Sequence, residues 1–458
     1  MSVDLLERLA AHVTATPPEA VPAAARDAAR TFILDTLGVA VAGSGDPWSR
    51  QLAPLLPAWG AGDEATLWVH GTRLPAGSAA LGNAHFAHCL EFDCLHEASV
   101  VHLMAATLSV ALAEAERRPP GRAVTGAELL HAVVLGVDVA ASIGEAATGP
   151  MRFFRPATAS AWGATAAAAR LAGLDAAGLR EAWGALYGQL SGTLQPHDEG
   201  SPLLAMQMGF NARAALAAVD LARAGLPAPL DVLQGPYGYF ALFEGGAAEP
   251  EPMAARLGRE WQVTQLSHKP YPSGRLTHGS VDGLLRLQAV HGFAAEDVEA
   301  VQVRLPPLAY RLVARPDVPD PAPAYARLCL PFVAATALLR GTVDVPHFAP
   351  EALRDPGVHA LAARIHAEPL PHPDERAITP QQVRVHLRSG ATHEIELEHV
   401  LGHPLAPLGR EQHLAKFRRN WGYGALPLPP EASEALITRV EALETLPDVR
   451  ELVGLLTP

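Results

Sequence analysis

Residues 29–43 read ARTFILDTLGVAVAG, and the spacing of their apolar side chains indicates the class of fold. The apolar residues recur at intervals of three and four, so they form one stripe along an amphipathic helix that ends at Gly43. Thr125 and Glu128 have the spacing of a capping box at the start of another helix. The alanine-rich helical pattern continues to about residue 225, at 129–139, 157–171, 177–190 and 209–224. Small residues such as Gly163 would let helices approach closely, so the sequence predicts an all-helical bundle with tight crossings.

The pattern changes beyond residue 270, where apolar and polar residues alternate as they do in half-buried strands. The predicted strands are 298–305, 382–387 and 392–397, and the last two form a hairpin around Ser389-Gly390. Helices are predicted at 328–339 and 353–365, and again at 410–417 and 431–443. The sequence therefore predicts a mainly α fold, with the first part of a large helical domain at 1–267, a smaller α+β domain at 268–400 and a C-terminal return to the helical domain at 401–458.

Charge and composition exclude several classes of partner. The chain has 458 residues, with 35 Lys and Arg against 48 Asp and Glu, so its formal net charge is −13. An acidic chain without a basic block repels nucleic-acid backbones and anionic lipid, so neither nucleic acid nor a membrane is an expected partner. Residues 1–7 lack the basic start of a secretory signal, and the longest apolar run, 100–113, is short for a membrane span.

The cysteines and the missing motifs exclude several kinds of site and several classes of reaction. Cys89, Cys94 and Cys329 are odd in number and lack CxxC spacing, which argues against a disulfide scaffold or an iron–sulfur cluster and favours a reducing cytoplasm. Cys94 is expected to be a buried small residue and not a nucleophile, because neighbouring acids raise the pKa of a thiol. GxGxxG, GxxxxGK[ST] and GxSxG motifs are missing, so nicotinamide redox chemistry, nucleotide hydrolysis and α/β-hydrolase chemistry are not expected.

Residues 83–97, together with His102, form the densest polar cluster of the chain, with four histidines and three carboxylates. Burial would force such groups to pair or to shift their pKa values. In one interpretation, His85 and His88 are bonded to backbone carbonyls and Glu97 faces water. In the other, His85 and His88 share a helix face with Glu91 and bind a metal.

Residues 267–278 read SHKPYPSGRLTH and form a second cluster. Two prolines fix the backbone and a glycine frees it, so Lys269, Arg275 and His278 are expected to lie close together at the domain junction. In an acidic protein this local positive field favours a small carboxylate over a polyanion. The alternative is a linker whose lysine and arginine face water.

Five segments together resemble a known family: 32–38, 82–106, 163–168, 209–225 and 268–278. They are similar to the MmgE/PrpD family, which includes 2-methylcitrate dehydratase, cis-aconitate decarboxylase and iminodisuccinate epimerase. The resemblance implies a discontinuous helical domain, a smaller α+β lid spanning roughly 270–400, a homodimer, and cofactor-free chemistry in the cleft between the domains.

Several catalytic positions of the family have counterparts here. The family's helix ends in an Asp-Phe-Asp-Asp-type motif followed by a histidine, where this chain has the string 91–94, Glu-Phe-Asp-Cys, followed by His102. The first acid is therefore one methylene longer, and the last acid has become a thiol. Lys269 matches the family's lid lysine, and His278 matches the histidine after it.

Two other family positions differ. Arg155 stands where the family usually has a histidine, and Leu204 stands where it usually has a lysine, with Gln207 as a polar residue nearby. Losing one charge-assisted contact would cost a tricarboxylate ligand roughly 1.5–3 kcal/mol. The resemblance therefore implies that carboxylate binding persists, and it favours a substrate with fewer carboxylates or a more apolar arm.

The resemblance predicts a cofactor-independent lyase, a dehydratase or decarboxylase, that acts on a small di- or tricarboxylic acid in the interdomain cleft. His102 is the expected general acid/base, with Glu91 or Asp93 as its carboxylate partner and Lys269 as the anion clamp. The predicted catalytic set is His102, Lys269, Glu91, Asp93 and His278, and the predicted substrate-binding set is Arg155, Ser273, Arg275, Gln207 and His96. Neither a metal nor a cofactor is expected, and the expected partners are the carboxylate substrate and a second copy of the chain.

Three alternatives stay open. The same site could return the proton to the other face of the substrate, which would make the protein an isomerase, an epimerase or a cyclase. Loss of family residues could leave a noncatalytic carboxylate-binding protein. A zinc enzyme that uses His85 and His88 is the third.

Overall fold

The computed structural model describes residues 4–458, except for the side chain of Pro120. The inference against a secretory signal rests partly on residues 1–3, which lie outside the described residues. The described chain is mainly helical, as the sequence predicts. Its first twelve helices are α1 Leu5–Ala15, α2 Ala23–Ser44, α3 Pro47–Leu52, α4 Ala76–His88, α5 Leu103–Glu116, α6 Gly126–Ala146, α7 Arg155–Ala172, α8 Ala176–Tyr187, α9 Gln195–Glu199, α10 Leu203–Arg223, α11 Tyr239–Phe243 and α12 Pro250–Arg256.

The second half of the chain alternates helices with short strands. The remaining helices are α13 His278–His291, α14 Pro307–Val313, α15 Pro323–Ala326, α16 Leu330–Arg340, α17 Pro356–Ala362, α18 Arg410–Trp421, α19 Pro430–Glu441 and α20 Arg450–Gly454. The strands are β1 Ala65–Leu67, β2 Thr72–Leu74, β3 Leu95–His96, β4 Leu266–Ser267, β5 Val298–Leu305, β6 Ile365–Pro369, β7 Gln381–Leu387 and β8 Thr392–Leu397. Strands β1 and β2 pair antiparallel with each other.

Helix α2 lies at the centre of the bundle. The helix is buried, as the sequence predicts, and every residue from Phe32 to Ser44 is buried, so burial here extends beyond the apolar stripe to all faces of the helix. Helix α4 covers one side and α18 covers another. A Cβ on Gly43 would lie 1.8 Å from the carbonyl oxygen of Phe86, so only glycine permits this approach of α2 to α4.

Other local predictions for the bundle are confirmed. Thr125 and Glu128 form the capping box of α6, with Glu128 N donating to Thr125 Oγ1 at 3.2 Å and Thr125 N donating to the Glu128 carboxylate at 2.8 Å. The predicted helix pair is α7 and α8, joined through Gly173 at φ 75°. A Cβ on Gly163 would lie 2.2 Å from the carbonyl oxygen of Gly136, so the predicted tight crossing is present.

A four-stranded sheet has the order β6-β5-β7-β8. The predicted hairpin is confirmed, since β7 and β8 pair antiparallel and Gly390 takes φ 86° in their turn. The predicted helix 353–365 is too long: α17 ends at Ala362, and Ile365 begins β6, which pairs parallel with β5. A short apolar run does not separate helix from strand, and here pairing with a distant strand determines the outcome.

The described residues form two large hydrophobic cores. One contains residues between Leu5 and Leu266, Leu328, and residues between Leu414 and Leu456. The other contains residues between Leu276 and Leu387. Helix α6 is long and apolar enough to cross a membrane by length and composition, but 89% of its most apolar window is buried in the first core.

Candidate active site

The polar cluster forms where α4 ends. The helix stops at His88, and Glu91 takes φ 51°, a left-handed conformation that costs a non-glycine residue about 1–2 kcal/mol. Two buried lysines hold this turn: Lys269 Nζ donates to the carbonyl of Glu91 at 3.2 Å, and Lys416 Nζ donates to the carbonyl of Phe92 at 3.0 Å. The turn sends the chain back, so that Asp93 contacts His88.

Strands β3 and β4 bring the two sequence clusters together. Leu95 pairs with Ser267 and His96 pairs with Leu266, so the segment that follows Asp93 lies beside the segment that precedes Lys269. This short antiparallel pairing joins residues about 170 positions apart in sequence. It explains how the predicted ammonium reaches the predicted carboxylates.

The carboxylate of Asp93 lies between two imidazoles and is fully buried. Its Oδ1 lies 3.1 Å from His88 Nδ1 in a hydrogen bond. Its Oδ2 lies 3.1 Å from His102 Nδ1, an ion-pair distance whose angle is unsuited to a hydrogen bond. Burial alone would raise the pKa of Asp93, but His102 and His88 outweigh it and hold this pKa well below its usual value.

Glu91 and Lys269 form a second charged pair. Glu91 Oε2 accepts a hydrogen bond from Lys269 Nζ at 2.7 Å, and Lys269 is fully buried. The Nε2 atoms of His88 and His102 lie 3.8 Å and 4.0 Å from the same carboxylate. Burial opposes ionisation of Glu91, yet the Lys269 ammonium outweighs burial and lowers the pKa of Glu91 to about 2.

The two imidazoles differ in basicity. Burial lowers the pKa of His102, Asp93 opposes this effect, and the charge of Lys269 adds to it, so the net shift is downward. His102 also immediately precedes α5, where the helix dipole disfavours a cation. For His88, burial is outweighed by Asp93 and the pKa is raised. Two imidazoles with pKa values moved apart are typical of acid/base sites.

A mostly apolar cavity opens beside His102 and Glu91. Its polar lining also includes Glu97, His197 and Arg275. The apolar lining comes from both cores and from residues between them: Leu95, Val100, Met151, Phe154, Pro156, Leu194, Leu204, Leu276, Leu312, Val313, Leu328 and Ile378. The arrangement is that of a small-molecule site, with charge concentrated at one end of an apolar space.

Two predicted substrate-binding residues have other partners. Both Nε and Nη2 of Arg155 donate to the Glu244 carboxylate, at 3.0 Å and 2.6 Å, and Nη2 also donates to the carbonyl of Gly149. Gln207 bonds the backbone N–H and carbonyl of Thr193. Neither residue lines the cavity, and their assignment to substrate binding stays a prediction. A buried guanidinium requires a carboxylate, and Glu244 supplies it.

Of four further predicted residues, three lie outside the cavity and one, Arg275, lines it. His278 Nε2 bonds the carbonyl of Ser273, whose Oγ lies 3.0 Å from Thr277 Oγ1, and His96 bonds Gln262; none of these lines the cavity. Arg275 reaches the cavity, but its donors go to Glu97 at 2.8 Å and to backbone carbonyls. His278 is not part of the cavity lining, and its catalytic role stays a prediction.

The structure also revises the interpretation of the other histidines. His88 bonds Asp93 and not a backbone carbonyl, and neither ring nitrogen of His85 has a hydrogen-bond partner among the described residues. Within the described chain, one group of side chains close enough to share a metal ion is His88, Asp93 and His102; it does not include His85, so the predicted zinc set is not assembled. Cys94 is buried, and burial raises its pKa well above the usual value, as predicted.

Sequence reasoning missed one cation near the cavity. Arg315 Nη2 donates to the ring of His197, which lines the cavity, and its guanidinium lies over the ring of Tyr325. Of the carboxylates in the described residues, none lies within 4.0 Å of Arg315. No motif marked this residue, because its position depends on packing between α9 and the segment that follows α14.

Comparison with known proteins identifies the family of the chain. The MmgE/PrpD N-terminal domain model matches residues 7–251, and the MmgE/PrpD C-terminal domain model matches residues 271–441. The chain is 28% identical to cis-aconitate decarboxylase of Mus musculus over 442 residues, covering 93% of this chain and 88% of that protein. It is 27% identical to cis-aconitate decarboxylase of Homo sapiens over 440 residues, which cover 93% of this chain and 89% of that protein. It is also 26% identical to cis-aconitate decarboxylase-like protein oryM of Aspergillus oryzae over 471 residues, which cover 97% of this chain and 95% of that protein. The resemblance inferred from the sequence is thereby confirmed, and the chain belongs to the MmgE/PrpD family.

Proposed function

We propose that the chain is a cofactor-independent lyase that decarboxylates a small unsaturated carboxylic acid. One observation supports the proposal most directly: two groups of the site approach the carboxylate of Glu91. The Lys269 ammonium lies 2.7 Å from it and the His102 imidazole lies 4.0 Å from it. A place that accepts the carboxylate of Glu91 suits the carboxylate of a ligand. The names of the relatives, cis-aconitate decarboxylases, support the same reaction class.

The reaction follows from these groups. As the bond to the departing carboxylate breaks, its electron pair forms a new carbon–carbon double bond, and the former double bond accepts a proton at carbon. His102, protonated from solvent and oriented by Asp93, delivers this proton. Lys269 binds a carboxylate that the product retains and offsets its charge in a dry site. The products are CO₂ and an acid with one carboxylate fewer.

The domain layout and the assembly complete the proposal. We assign 1–267 and 401–458 to the helical domain and 268–400 to the lid, which the two separate hydrophobic cores support. The proposed site lies between them, because His102 comes from the first part of the chain and Lys269 from the edge of the second. A homodimer in a reducing cytoplasm also remains part of the proposal.

The test is turnover of cis-aconitate in D₂O, followed by NMR. Decarboxylation places one solvent deuteron on the carbon skeleton of each product molecule and releases CO₂. Hydroxy acids supplied to the same enzyme report dehydration through loss of the hydroxyl group. Exchange of a carbon-bound hydrogen without loss of CO₂ or water would assign the protein to the isomerases and contradict the proposal.

An isomerase is the second candidate, and one observation favours it. His88 and His102 flank one carboxylate, and their pKa values are shifted in opposite directions. His102 lines the cavity and would exchange the proton with the substrate, whereas His88 does not line it and would act through the carboxylate of Asp93. The D₂O experiment separates this reaction from decarboxylation without further variants.

The pH dependence should report His102. Because decarboxylation requires its protonated form, kcat/KM is expected to fall as the pH rises through the pKa of His102 in the free enzyme, which lies below 6.5. Negative charge on the bound substrate favours the imidazolium, so the corresponding limb of kcat should lie at higher pH. Rates measured across the pH range with a fixed-ionic-strength buffer check this. A kcat/KM that falls on the acid side instead would indicate a neutral base.

Leu204 should limit the number of carboxylates that the substrate carries. It is buried in the cavity wall where the family usually has a lysine. Leu204→Lys is expected to tighten binding of a tricarboxylate by about 10-fold or more, since a charge-assisted contact contributes about 1.5–3 kcal/mol. Calorimetric titration with cis-aconitate and with a dicarboxylate analogue measures the selectivity. Leu204→Met keeps the size without the charge and serves as the control; equal changes for both ligands would refute the assignment.

A further inference from the structure

A second polar cluster lies apart from the cavity, where α2, the segment after β4 and α18 meet. It consists of Asp35, His268 and His413, which are 2%, 5% and 6% exposed. Each offers one ligand-type atom, and these atoms all lie within 4.8 Å of one another. The two imidazole centroids are 5.1 Å apart. Three segments distant in sequence therefore bring two histidines and one carboxylate to a single point.

Several atoms of this cluster lack a partner in the described chain. Asp35 Oδ1 lies 2.7 Å from Lys416 Nζ in an ion pair, but Oδ2 has no hydrogen-bond partner. His268 Nε2 and both ring nitrogens of His413 are also buried without a hydrogen-bond partner. Buried polar atoms are normally satisfied, so such atoms facing one another are typical of a place that receives an ion or a water.

The ligand atoms of the cluster favour a metal ion over a water molecule. No carboxylate of the described residues lies within 4.0 Å of a ring nitrogen of His268 or His413, and a neutral imidazole keeps a free lone pair on one ring nitrogen. Two neutral imidazoles and one carboxylate oxygen form a ligand set that zinc uses, with a fourth position left for water. The Lys416 ammonium repels a cation, but it binds the other oxygen of Asp35.

The cluster has a route to solvent. His268 and His413 line a surface pocket whose other walls include Asp27, Arg410 and Glu441. These three residues are exposed, so an ion can reach the two imidazoles from outside the protein. The two acids of this pocket are paired with its two arginines, Asp27 with Arg30 and Glu441 with Arg410, so the charges at its mouth balance.

We propose that Asp35, His268 and His413 form a binding site for a divalent transition metal ion of the zinc type. The site is separate from the cluster of His88, Asp93 and His102 and does not depend on the proposed function. It would join α2 to α18 and fix the residue that immediately precedes Lys269. Its role would therefore be to stabilise the segment that carries the ammonium.

The test uses the full-length protein, stripped with a chelator and titrated with Zn²⁺ by calorimetry and with Co²⁺ by visible absorption. One Zn²⁺ per chain and the intense d–d bands of a four-coordinate Co²⁺ site are expected. His413→Ala should weaken Zn²⁺ binding by about 100-fold or more. His88→Asn, in the other candidate group, should leave this binding in place.

His268→Cys keeps a ligand at the same position and adds a signature that a purely structural role would not produce. A thiolate-to-Co²⁺ charge-transfer band in the near ultraviolet is expected in this variant and not in the wild type. Absence of stoichiometric Zn²⁺ binding by the wild type would overturn the proposal and indicate water in the cluster. Binding that is lost in His88→Asn but kept in His413→Ala would also overturn it and place the ion in the other group.

Discussion

Lys269→Met is expected to lower kcat/KM for the decarboxylated acid by about 100- to 1,000-fold, the effect usually seen when one charge-stabilising donor is removed from an active site. Lys269 is fully buried, and its Nζ lies 2.7 Å from the carboxylate of Glu91. Among the described residues no lysine lines the cavity, and Lys269 borders it through its ion pair with Glu91, which does line it. Steady-state rates over a range of substrate concentrations measure the effect.

The same variant is expected to lose stability, because it leaves Glu91 as a buried charge without its partner. Removing one member of a buried pair typically costs about 3–5 kcal/mol. The double variant Lys269→Met, Glu91→Gln removes both charges and should recover most of the melting temperature while staying inactive. If the double variant also recovered turnover, the loss in the single variant would reflect misfolding, and the role of Lys269 as a carboxylate clamp would be refuted.

His102→Asn is expected to lower kcat by about 100- to 10,000-fold, the usual contribution of a general acid or base. The imidazole is held by Asp93 at 3.1 Å and lines the cavity. Asparagine keeps a polar side chain of similar size but cannot carry the proton. Deuterium incorporation from D₂O should fall in parallel with CO₂ release, since both depend on one proton transfer.

His96→Asn provides a matched control for His102. His96 is as buried as His102 but bonds Gln262 and does not line the cavity. This variant is expected to lose some stability while deuterium incorporation per turnover and the pH dependence of kcat stay unchanged. Equal loss of activity in both variants would show that any buried histidine in this region is required for folding, and the assignment of His102 would fail.

Much of the backbone could be predicted because its signals are local. The capping box of Thr125 and Glu128 contains its own partners within one turn, and the alternation in 392–397 reports which side of the sheet is buried. Strand β6 could not be predicted in the same way. Its residues form a strand because β5 lies beside them, and a segment of five residues carries too little periodicity to show this.

The residues of the site could be predicted where they match motifs of the family, and the contacts of the other residues could not. Glu91, Asp93, His102 and Lys269 were predicted to act together, and the structure brings them within 4.0 Å of one another in pairs. Arg155 was expected to bind substrate, since a sequence shows a cation but not its counterion. Glu244, 89 residues further on, is that counterion. The contact between His88 and Asp93 was not predicted, because it depends on the left-handed turn at residue 91, which returns Asp93 to the end of the helix that carries His88.

The hydrogen bond from Lys416 to the carbonyl of Phe92 has a consequence for synthesis of the protein. A nascent chain emerges from its amino terminus at about 5–20 residues per second, so about 16–65 s separate the appearance of Asp93 from that of Lys416. Throughout this interval the bundle can begin to form, but the turn at residues 91–93 lacks one of its two ammonium supports. Ribosome-bound chains and fragments that end before α18 lack this support, so we expect the turn at residues 91–93 to be held less firmly in them. We therefore expect full activity only in chains whose translation has passed α18.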